Sequence, residues 1–540
     1  MTTYLLLAGG IILACVLLNR ISDKVGVPIL LVFILLGMAF GTDGIWKIDF
    51  DNFGFAEQIC SVALIFIMFY GGFGTNWEQA KPVALQAGIL STLGVVLTAG
   101  VTGLFCYLVL GMGLLESLLL GSVISSTDAA SVFSILRSKK LGLKYNTASL
   151  LELESGSNDP CSYMMTALVL TVMAGSTTPG AVAYLIFAQF AYGILVSLVV
   201  AAFALFMLKH FRFGADGFDM VFVIAMAILS YALASYIGGN GYLSVYLVGI
   251  ILGNARIKNK ASLVPFFDGI TSLMQMTVFF LLGLLSFPSR LPAVAGVSFA
   301  VALFLTFVAR PAVVFLLMAP FRCGWRQKVL VSFAGLRGAA SIVFAIMATV
   351  SEAYVKDDVF HIVFCIVLLS IAFQGTLIPW ASRVLDMIDA GIDVRKTFTD
   401  YVDEVPVQFT ELLIGAEHPW REKTIAELSL VPDMLIVVII RDGVSMIPSG
   451  NMVIMEGDRL VLSGPAFHDD RAVCLWEKRL DAGCGWTGKT IAEYSHNPRE
   501  LVVMIRRGDS PVIPRGDTVL EAGDVLVIYS DEDLRGVAEA

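Results

Sequence analysis

The chain has 540 residues, 57% of them hydrophobic and 15% charged, with a formal net charge of −9 and eight cysteines. Soluble domains carry about 25% charged residues, so this composition excludes an ordinary soluble protein. An acidic chain with no basic stripe also excludes a nucleic-acid partner.

Charge is sparse up to about Ile388 and dense after it, which predicts a membrane domain followed by a soluble tail. The first nineteen residues are uncharged, so they read as a first span and not as a cleaved signal peptide. A spanning helix takes about 20 apolar residues. Thirteen candidates follow in order: Leu5–Leu18, Pro28–Gly41, Gln58–Phe73, Pro82–Leu110, Leu114–Leu136, Ala148–Ala174, Gly180–Leu208, Phe218–Ile237, Leu243–Gly253, Pro265–Phe287, Pro292–Ala319, Lys328–Val350 and Val359–Leu385. The second and ninth are short. Alternate loops are basic: Arg20 and Lys24; Lys81; Arg137, Lys139, Lys140 and Lys144; Lys209 and Arg212; Arg256, Lys258 and Lys260; Arg322, Arg326 and Lys328. The opposite loops hold only Lys47, Arg290 and Lys356. Positive charge stays on the cytoplasmic side, so the N-terminus is expected outside and the tail in the cytoplasm. The cysteines lie mostly in apolar runs without C-x-x-C pairs and read as buried free thiols.

An ionisable side chain inside the bilayer is expensive and marks function. Four stand out: Asp128, Glu154, Asp159 and Arg337. The fifth candidate span carries Ser125-Ser-Thr-Asp-Ala-Ala-Ser131, with Thr127 and Asp128. The sixth carries Glu154-Ser-Gly-Ser-Asn-Asp-Pro160. Ser155 lies one turn before Asp159, and Pro160 frees a backbone carbonyl. Together with Asn158 this makes an all-oxygen site suited to a hard monovalent cation. A polar network holding helices together is the bland alternative. The twelfth span carries Gly335-Leu-Arg-Gly-Ala-Ala-Ser341, whose Ala-Ala-Ser matches Ala129–Ser131 in a span of opposite direction. Paired interrupted helices of this kind surround the binding sites of many transporters. Asp128 is placed to cap a half-helix N-terminus. Arg337 cannot shed its proton. Glu154 is its expected partner in a structural ion pair, which leaves Asp159 to trade a proton for a cation.

Past a polar connector at 388–405 the tail repeats itself at an offset of 66: Lys423-Thr-Ile-Ala-Glu427 recurs as Lys489–Glu493, Ile447-Pro448 as Ile513-Pro514, and Gly457-Asp458 as Gly523-Asp524. Each copy reads as a short helix and strands at Leu435–Ile440 and Arg459–Leu462, or Leu501–Ile505 and Val525–Ile528. The domain division is therefore 1–387 membrane, 388–405 connector, and two α/β modules at 406–470 and 471–540. Gly483–Thr490 fits a phosphate-loop pattern, but no apolar strand runs into it and its Lys489-Thr490 belongs to the repeat, whose first copy has no matching glycine-rich loop, so it is discounted. The histidines form no cluster and are expected at loops or the surface. The spacings Gly37…Gly41 and Gly249…Gly253 signal close helix packing, within one chain or between chains.

The Asn158-Asp159 pair in ESGSNDP, with STDAAS and GLRGAAS, resembles the bacterial cation–proton antiporter family, in its NhaP-type branch. The resemblance implies an all-α polytopic domain of thirteen transmembrane helices with inverted repeats, a homodimer, and a bacterial inner membrane location. It implies that Asp159 carries the exchanged ion, surrounded by Thr127, Asp128 and Ser155. Asn158 in place of a second acid resembles exchangers that move one cation per proton. The tail resembles the TrkA C-terminal lobe (the RCK C-lobe) twice over, which implies a small regulatory ligand such as a cyclic dinucleotide. No cofactor is implied, only transported K⁺ or Na⁺ and H⁺, with K⁺ favoured. A gated cation channel with a regulatory tail is the alternative, but no TVGYG-like filter is present. An anion carrier conflicts with the two aspartates, and nothing suggests an enzyme.

Overall fold

The computed structural model describes residues 2–25, 28–128, 132, 141–175, 178–211, 217–255, 257, 260–353, 358–389, 407–416, 418–428, 434–441, 443–465, 475–481, 485–494, 500–508, 510–512 and 514–530. Arg137, Lys139, Lys140, Arg212, Arg256, Lys258, Lys356, Ala129–Ser131 and most of the connector lie outside these residues. Two compact units form, Met1–Asp403 and Glu404–Ala540.

The first unit is helical. Its described elements are α1 (Thr2–Val25), α2 (Ile29–Phe40), α3 (Phe53–Gly74), α4 (Trp77–Leu108), α5 (Leu114–Val123), α6 (Thr147–Met173), α7 (Pro179–His210), α8 (Phe218–Tyr236), α9 (Gly241–Gly253), α10 (Lys260–Leu285), α11 (Leu291–Leu317), α12 (Trp325–Phe333), α13 (Ala339–Val350) and α14 (Val359–Val384). Seven of the described helices are long and apolar enough to cross a membrane. The shorter apolar ones include α2, α5, α9 and α13.

The two short expected spans end where small residues bring backbones together. A β-carbon on Gly249 would lie 2.3 Å from the Phe69 carbonyl oxygen, and one on Gly253 would lie 2.0 Å from that of Phe73. One on Gly37 would lie 2.1 Å from the Phe280 carbonyl oxygen. Both small-residue spacings are therefore used within the chain, α9 on α3 and α2 on α10. In lipid, where hydrophobicity does not drive helices together, such close approach supplies the packing attraction. Pro160 lies inside α6 without ending it, and Asn240 Nδ2 donates to the Pro160 carbonyl at 2.8 Å.

One histidine departs from expectation. His361, near the start of α14, is buried. Its Nδ1 pairs with Asp358 at 2.7 Å, and its Nε2 accepts the Phe287 N–H at 3.1 Å. An imidazole with a partner on each nitrogen is satisfied inside the protein and has no need of a loop or of water.

Two antiparallel four-stranded sheets make the second unit. Their orders are β1-β4-β2-β3 and β5-β8-β6-β7, with β1 Val407–Leu413, β2 Leu435–Arg441, β3 Val444–Met446, β4 Arg459–Pro465, β5 Leu475–Arg479, β6 Glu500–Arg507, β7 Ser510–Val512 and β8 Val525–Ser530. The repeat reaches the interior. The first core is Ile414, Ile436, Ile439, Ile454, Leu460 and Leu462, and the second is Leu480, Val502, Ile505, Leu520, Leu526 and Ile528, each 66 residues on. The repeated Thr-Ile-Ala-Glu is a helix start. Glu427 Oε2 accepts the Thr424 N–H at 2.9 Å, and Glu493 Oε2 accepts that of Thr490 at 2.8 Å. A strand, β5, precedes the phosphate-loop-like segment, but it is not the apolar strand that such a loop follows. It reads Leu-Trp-Glu-Lys-Arg and leads to one helical turn, Ile491–Tyr494. Gly483 and Cys484 lie outside the described residues.

The repeated Gly-Asp closes each module. Arg441 donates through Nε and Nη2 to buried Asp458, each at 2.7 Å, and Arg507 grips buried Asp524 in the same way. These hydrogen bonds hold both carboxyls below the usual carboxylate range. A depressed folded pKa contributes stability that is fully present above the unfolded value near 4 and lost as pH falls through the folded one. Asp458→Asn should cost about 2–3 kcal/mol at pH 7, and the loss should shrink towards pH 3. Urea unfolding of the 404–540 unit at both pH values checks this. An Asp458→Asn/Asp524→Asn chain with the wild-type acid profile would contradict it.

Candidate functional site

Two helices stop inside the membrane unit. The first, α5, ends at Val123, and Ser126–Asp128 have no regular structure; α12 ends at Phe333, and the chain is irregular to Gly338, the N-cap of α13. Small polar residues and glycine compete poorly as helix formers and bond locally instead. The two irregular stretches touch. Asp128 N–H donates to the Leu336 carbonyl at 2.8 Å. A β-carbon on Gly338 would sit 2.0 Å from Oδ2 of Asp128, so only glycine lets this carboxylate lie there. Gly338 is also the N-cap of α13 and supplies no side chain. The half-helix N-terminus that Asp128 faces is thus that of α13; residues 129–131 lie outside the described ones.

The middle of α6 packs on this contact. Ser126 donates its hydroxyl to Asp159 Oδ1, and Asp159 is 8% exposed. Asn158 Nδ2 donates to Thr127 Oγ1 at 2.5 Å, while its Oδ1 is buried without a hydrogen-bond partner among the described residues. Ser155 donates to the Thr127 carbonyl. Asp128 is close enough to Asp159 for their charges to interact. All five residues picked from the sequence therefore meet. They form a set of carboxylate, amide, hydroxyl and carbonyl oxygens between an unbroken helix and two broken ones. Below them, Ser162 Oγ donates to the Ser122 carbonyl at 2.7 Å and ties α5 to α6.

The expected ion pair is redrawn. Glu154 is closed upon by Arg310 Nη2, not by Arg337. Arg310 and Arg337 are each 2% exposed and Glu154 is 1% exposed. Arg337 Nη1 donates to the Ser126 carbonyl at 2.7 Å, and its own N–H donates to Ser370 Oγ at 3.0 Å. Arg337 thus holds the peptide whose hydroxyl holds Asp159. Arg310 and Ser126 were not among the residues singled out from the sequence. Arg310 was legible as a charge within the eleventh candidate span, and Ser126 as the hydroxyl beside Thr127 in the same motif. Glu152, buried on the turn before Glu154, was also passed over. Two of these partners adjoin π-helical segments: Arg310, the partner of Glu154, follows Leu305–Ala309, and Ser370, one partner of Arg337, begins Ser370–Gly375. Such bulges rotate a side chain off the regular helical face and recur at functional sites.

Glu154→Gln should destabilise the membrane unit by about 3–5 kcal/mol, because it leaves the buried Arg310 cation without its anion. In detergent melts, the interaction energy of a Glu154–Arg310 double-mutant cycle should exceed that of a Glu154–Arg337 cycle. The reverse order would return Arg337 to the pair.

The sequence matches the family model for the sodium/hydrogen exchanger transmembrane domain over residues 10–384. It matches that for the TrkA-C domain over residues 409–466 and 477–539. A K(+)/H(+) antiporter NhaP from Alkalimonas amylolytica is 33% identical over 462 residues, covering 85% of this chain and 80% of that one. A K(+)/H(+) antiporter NhaP2 from Shewanella baltica is 30% identical, covering 83% and 78%. The Na(+)/H(+) antiporter ApNhaP from Aphanothece halophytica is 23% identical, covering 77% and 78%. The fold is that of the sodium proton antiporter MjNhaP1 from Methanocaldococcus jannaschii, with a TM-score of 0.61 at 22% identity, covering 71% of this chain and 98% of that structure. With its membrane unit and both tail modules matched, this chain belongs to the sodium/hydrogen exchanger family and carries two TrkA-C domains.

Proposed function

We propose that the protein is an electroneutral antiporter that exchanges one monovalent cation, K⁺ ahead of Na⁺, for one proton. The observation that carries this is Asp159, buried where two broken helices cross and held by the Ser126 hydroxyl. A carboxylate so placed is too costly to leave bare. It takes a proton or a cation, and either leaves the site with the same charge. Asn158 Oδ1, Thr127, Ser155 and Asp128 supply the oxygens that replace a cation's hydration shell. The Arg310–Glu154 pair is internally neutral and leaves Asp159 to titrate. The K⁺ preference rests on the names of the relatives at 30% and 33% identity.

In this reading residues 1–387 form thirteen spans in inverted repeats within a bacterial inner membrane. The N-terminus is outside, and the connector 388–405 and the modules 406–470 and 471–540 are cytoplasmic. The protein works as a homodimer, and the tail answers a small ligand, a cyclic dinucleotide among the candidates.

In everted vesicles with a pH-sensitive dye, K⁺ should dissipate a proton gradient. Asp159→Asn should abolish this at normal abundance, because an amide neither carries a proton nor balances a cation. Robust exchange by that variant would sink the reading, and a current following the K⁺ gradient without proton movement would favour a channel. A chain ending at Ile388 should still exchange, with an altered pH profile or rate and no ligand response. Complete loss of exchange in a folded truncated protein would make the tail part of the transport machinery.

A further inference from the structure

Away from the crossing, the membrane unit has a polar cavity at the end of α14 from which the chain leaves for the tail. It measures about 480 Å³, and Gln86, Lys144, Tyr145, Arg322, Arg326 and Asp386 are among its lining residues. Among the described residues, the charged groups facing it are three cations, Lys144, Arg322 and Arg326, and one anion, Asp386. Asp386 is shared: Lys144 Nζ binds its Oδ1 at 3.0 Å and Arg326 Nη1 its Oδ2 at 3.1 Å. Neither contact involves the Arg322 guanidinium, which leaves a third cation on the cavity wall. The N-terminus of α12 opens on the same cavity with Gly324 as its cap, so the cap residue offers no side chain to its first amides. Trp325 is 63% exposed, with the Arg326 guanidinium 5.8 Å from its ring centroid. An exposed tryptophan beside arginines is the pattern of a membrane–water interface.

The cavity also holds two segments together. Lys144 N–H donates to the Met387 carbonyl at 2.9 Å, Asp389 N–H donates to the Gly142 carbonyl at 3.0 Å, and Leu143 bridges Ile388 antiparallel. The chain leaving α14 is thus pinned to the chain entering α6, the helix that carries Glu154 and Asp159. Tyr145, Arg322 and Asp386 line the cavity with positive φ values of 60°, 53° and 52°, and Asn146 beside them has 52°. Conformations of this kind persist only where surrounding contacts enforce them.

We propose that this cavity is a phosphate-oxyanion site, filled by a lipid phosphate or a soluble phosphate, in which the anion competes with Asp386 for Lys144 and Arg326. Three cations and uncapped amides around one carboxylate leave room and charge for a second anion, and guanidinium forks match phosphate geometry. Its occupation loosens the hold of Lys144 and Arg326 on the start of the connector. The Lys144 hydrogen bond keeps the Asp386 carboxyl below its usual range, so protonation of Asp386 plays no part in this competition at physiological pH.

The test is binding to the purified full-length protein, which does not depend on the antiport reading. Thermal unfolding in neutral detergent is titrated with sodium phosphate, with sodium chloride at matched ionic strength as the control. A second arm compares phosphatidylcholine nanodiscs with and without phosphatidylglycerol. Phosphate or phosphatidylglycerol should raise the melting temperature above the chloride or phosphatidylcholine control. A response to phosphatidylglycerol alone assigns the lipid phosphate, and one to inorganic phosphate assigns a soluble anion. Arg322→Gln/Arg326→Gln should remove the rise. Asp386→Asn, which deletes the competitor, should shift the phosphate midpoint severalfold lower, a change that loss of a merely structural salt bridge does not produce. No rise in either arm, or an Asp386→Asn midpoint equal to or weaker than wild type, overturns the proposal, and the latter decides it if the double variant does not fold.

Discussion

A charge in the middle of a low-dielectric unit must be paired, neutralised or solvated by fixed dipoles, and the interior here is arranged around that requirement. Two buried arginines and the carboxylates of Glu154 and Asp159 lie within a few turns of one another. Arg310 takes Glu154 directly. Arg337 takes a backbone carbonyl, that of Ser126, and so fixes the non-helical stretch that presents Ser126 to Asp159. An unbroken helix could not offer that carbonyl, since it would be spent on the helix's own ladder. The interruption of α5 and the burial of Arg337 are therefore one feature: the break frees an acceptor, and the cation occupies it. The same logic explains Gly338, where only the absence of a side chain admits the Asp128 carboxylate to the N-terminus of α13.

Much of this was legible in the sequence, for physical reasons that also mark where legibility stops. Asp159, Asp128, Asn158, Ser155 and Thr127 announced themselves because polar side chains inside long apolar runs have few structural excuses. Their convergence was signalled by matching Ala-Ala-Ser segments in two spans of opposite direction, the pattern of paired interrupted helices. The pairing of Glu154 was not legible. Sequence distance does not say which of two arginines reaches a carboxylate, and Arg310 gains its direction from the π-helical turn at Leu305–Ala309, which leaves no mark in a pattern of 3.6 residues. His361 was misplaced because a histidine in an apolar segment shows nothing of the Asp358 and Phe287 groups that satisfy it.

The tail makes the converse case. Its offset of 66 residues was plain between Lys423 and Val461, yet β1 and β5 precede that stretch and were missed, because their residues diverge. What persists across the duplication is what the fold cannot lose: six core positions, the Thr–Glu helix start and the Arg–Asp clasp. Even the register shift between Ile436 and Val438 recurs between Val502 and Met504. Outer strand positions face water and tolerate exchange, so identity concentrates where burial and hydrogen bonding leave one solution.

A regulatory tail can act on transport only by favouring one arrangement of the membrane unit over another, and the bias must enter through bonds that differ between arrangements. In the proposed reading, the segment Asp386–Asp389 is where such a bias would enter. It is the last described stretch before the connector, and it is hydrogen-bonded to residues 142–144, which lead within a few residues into α6. A pull on the connector therefore reaches the helix of Asp159 through one short antiparallel contact, without passing through lipid-facing helices. The bonds of this contact are backbone pairs reinforced by half-exposed ion pairs, each worth little alone. Weakness is an advantage here. A clamp of buried pairs would hold against any ligand, whereas this contact can be shifted by the modest binding energy that a small regulator supplies.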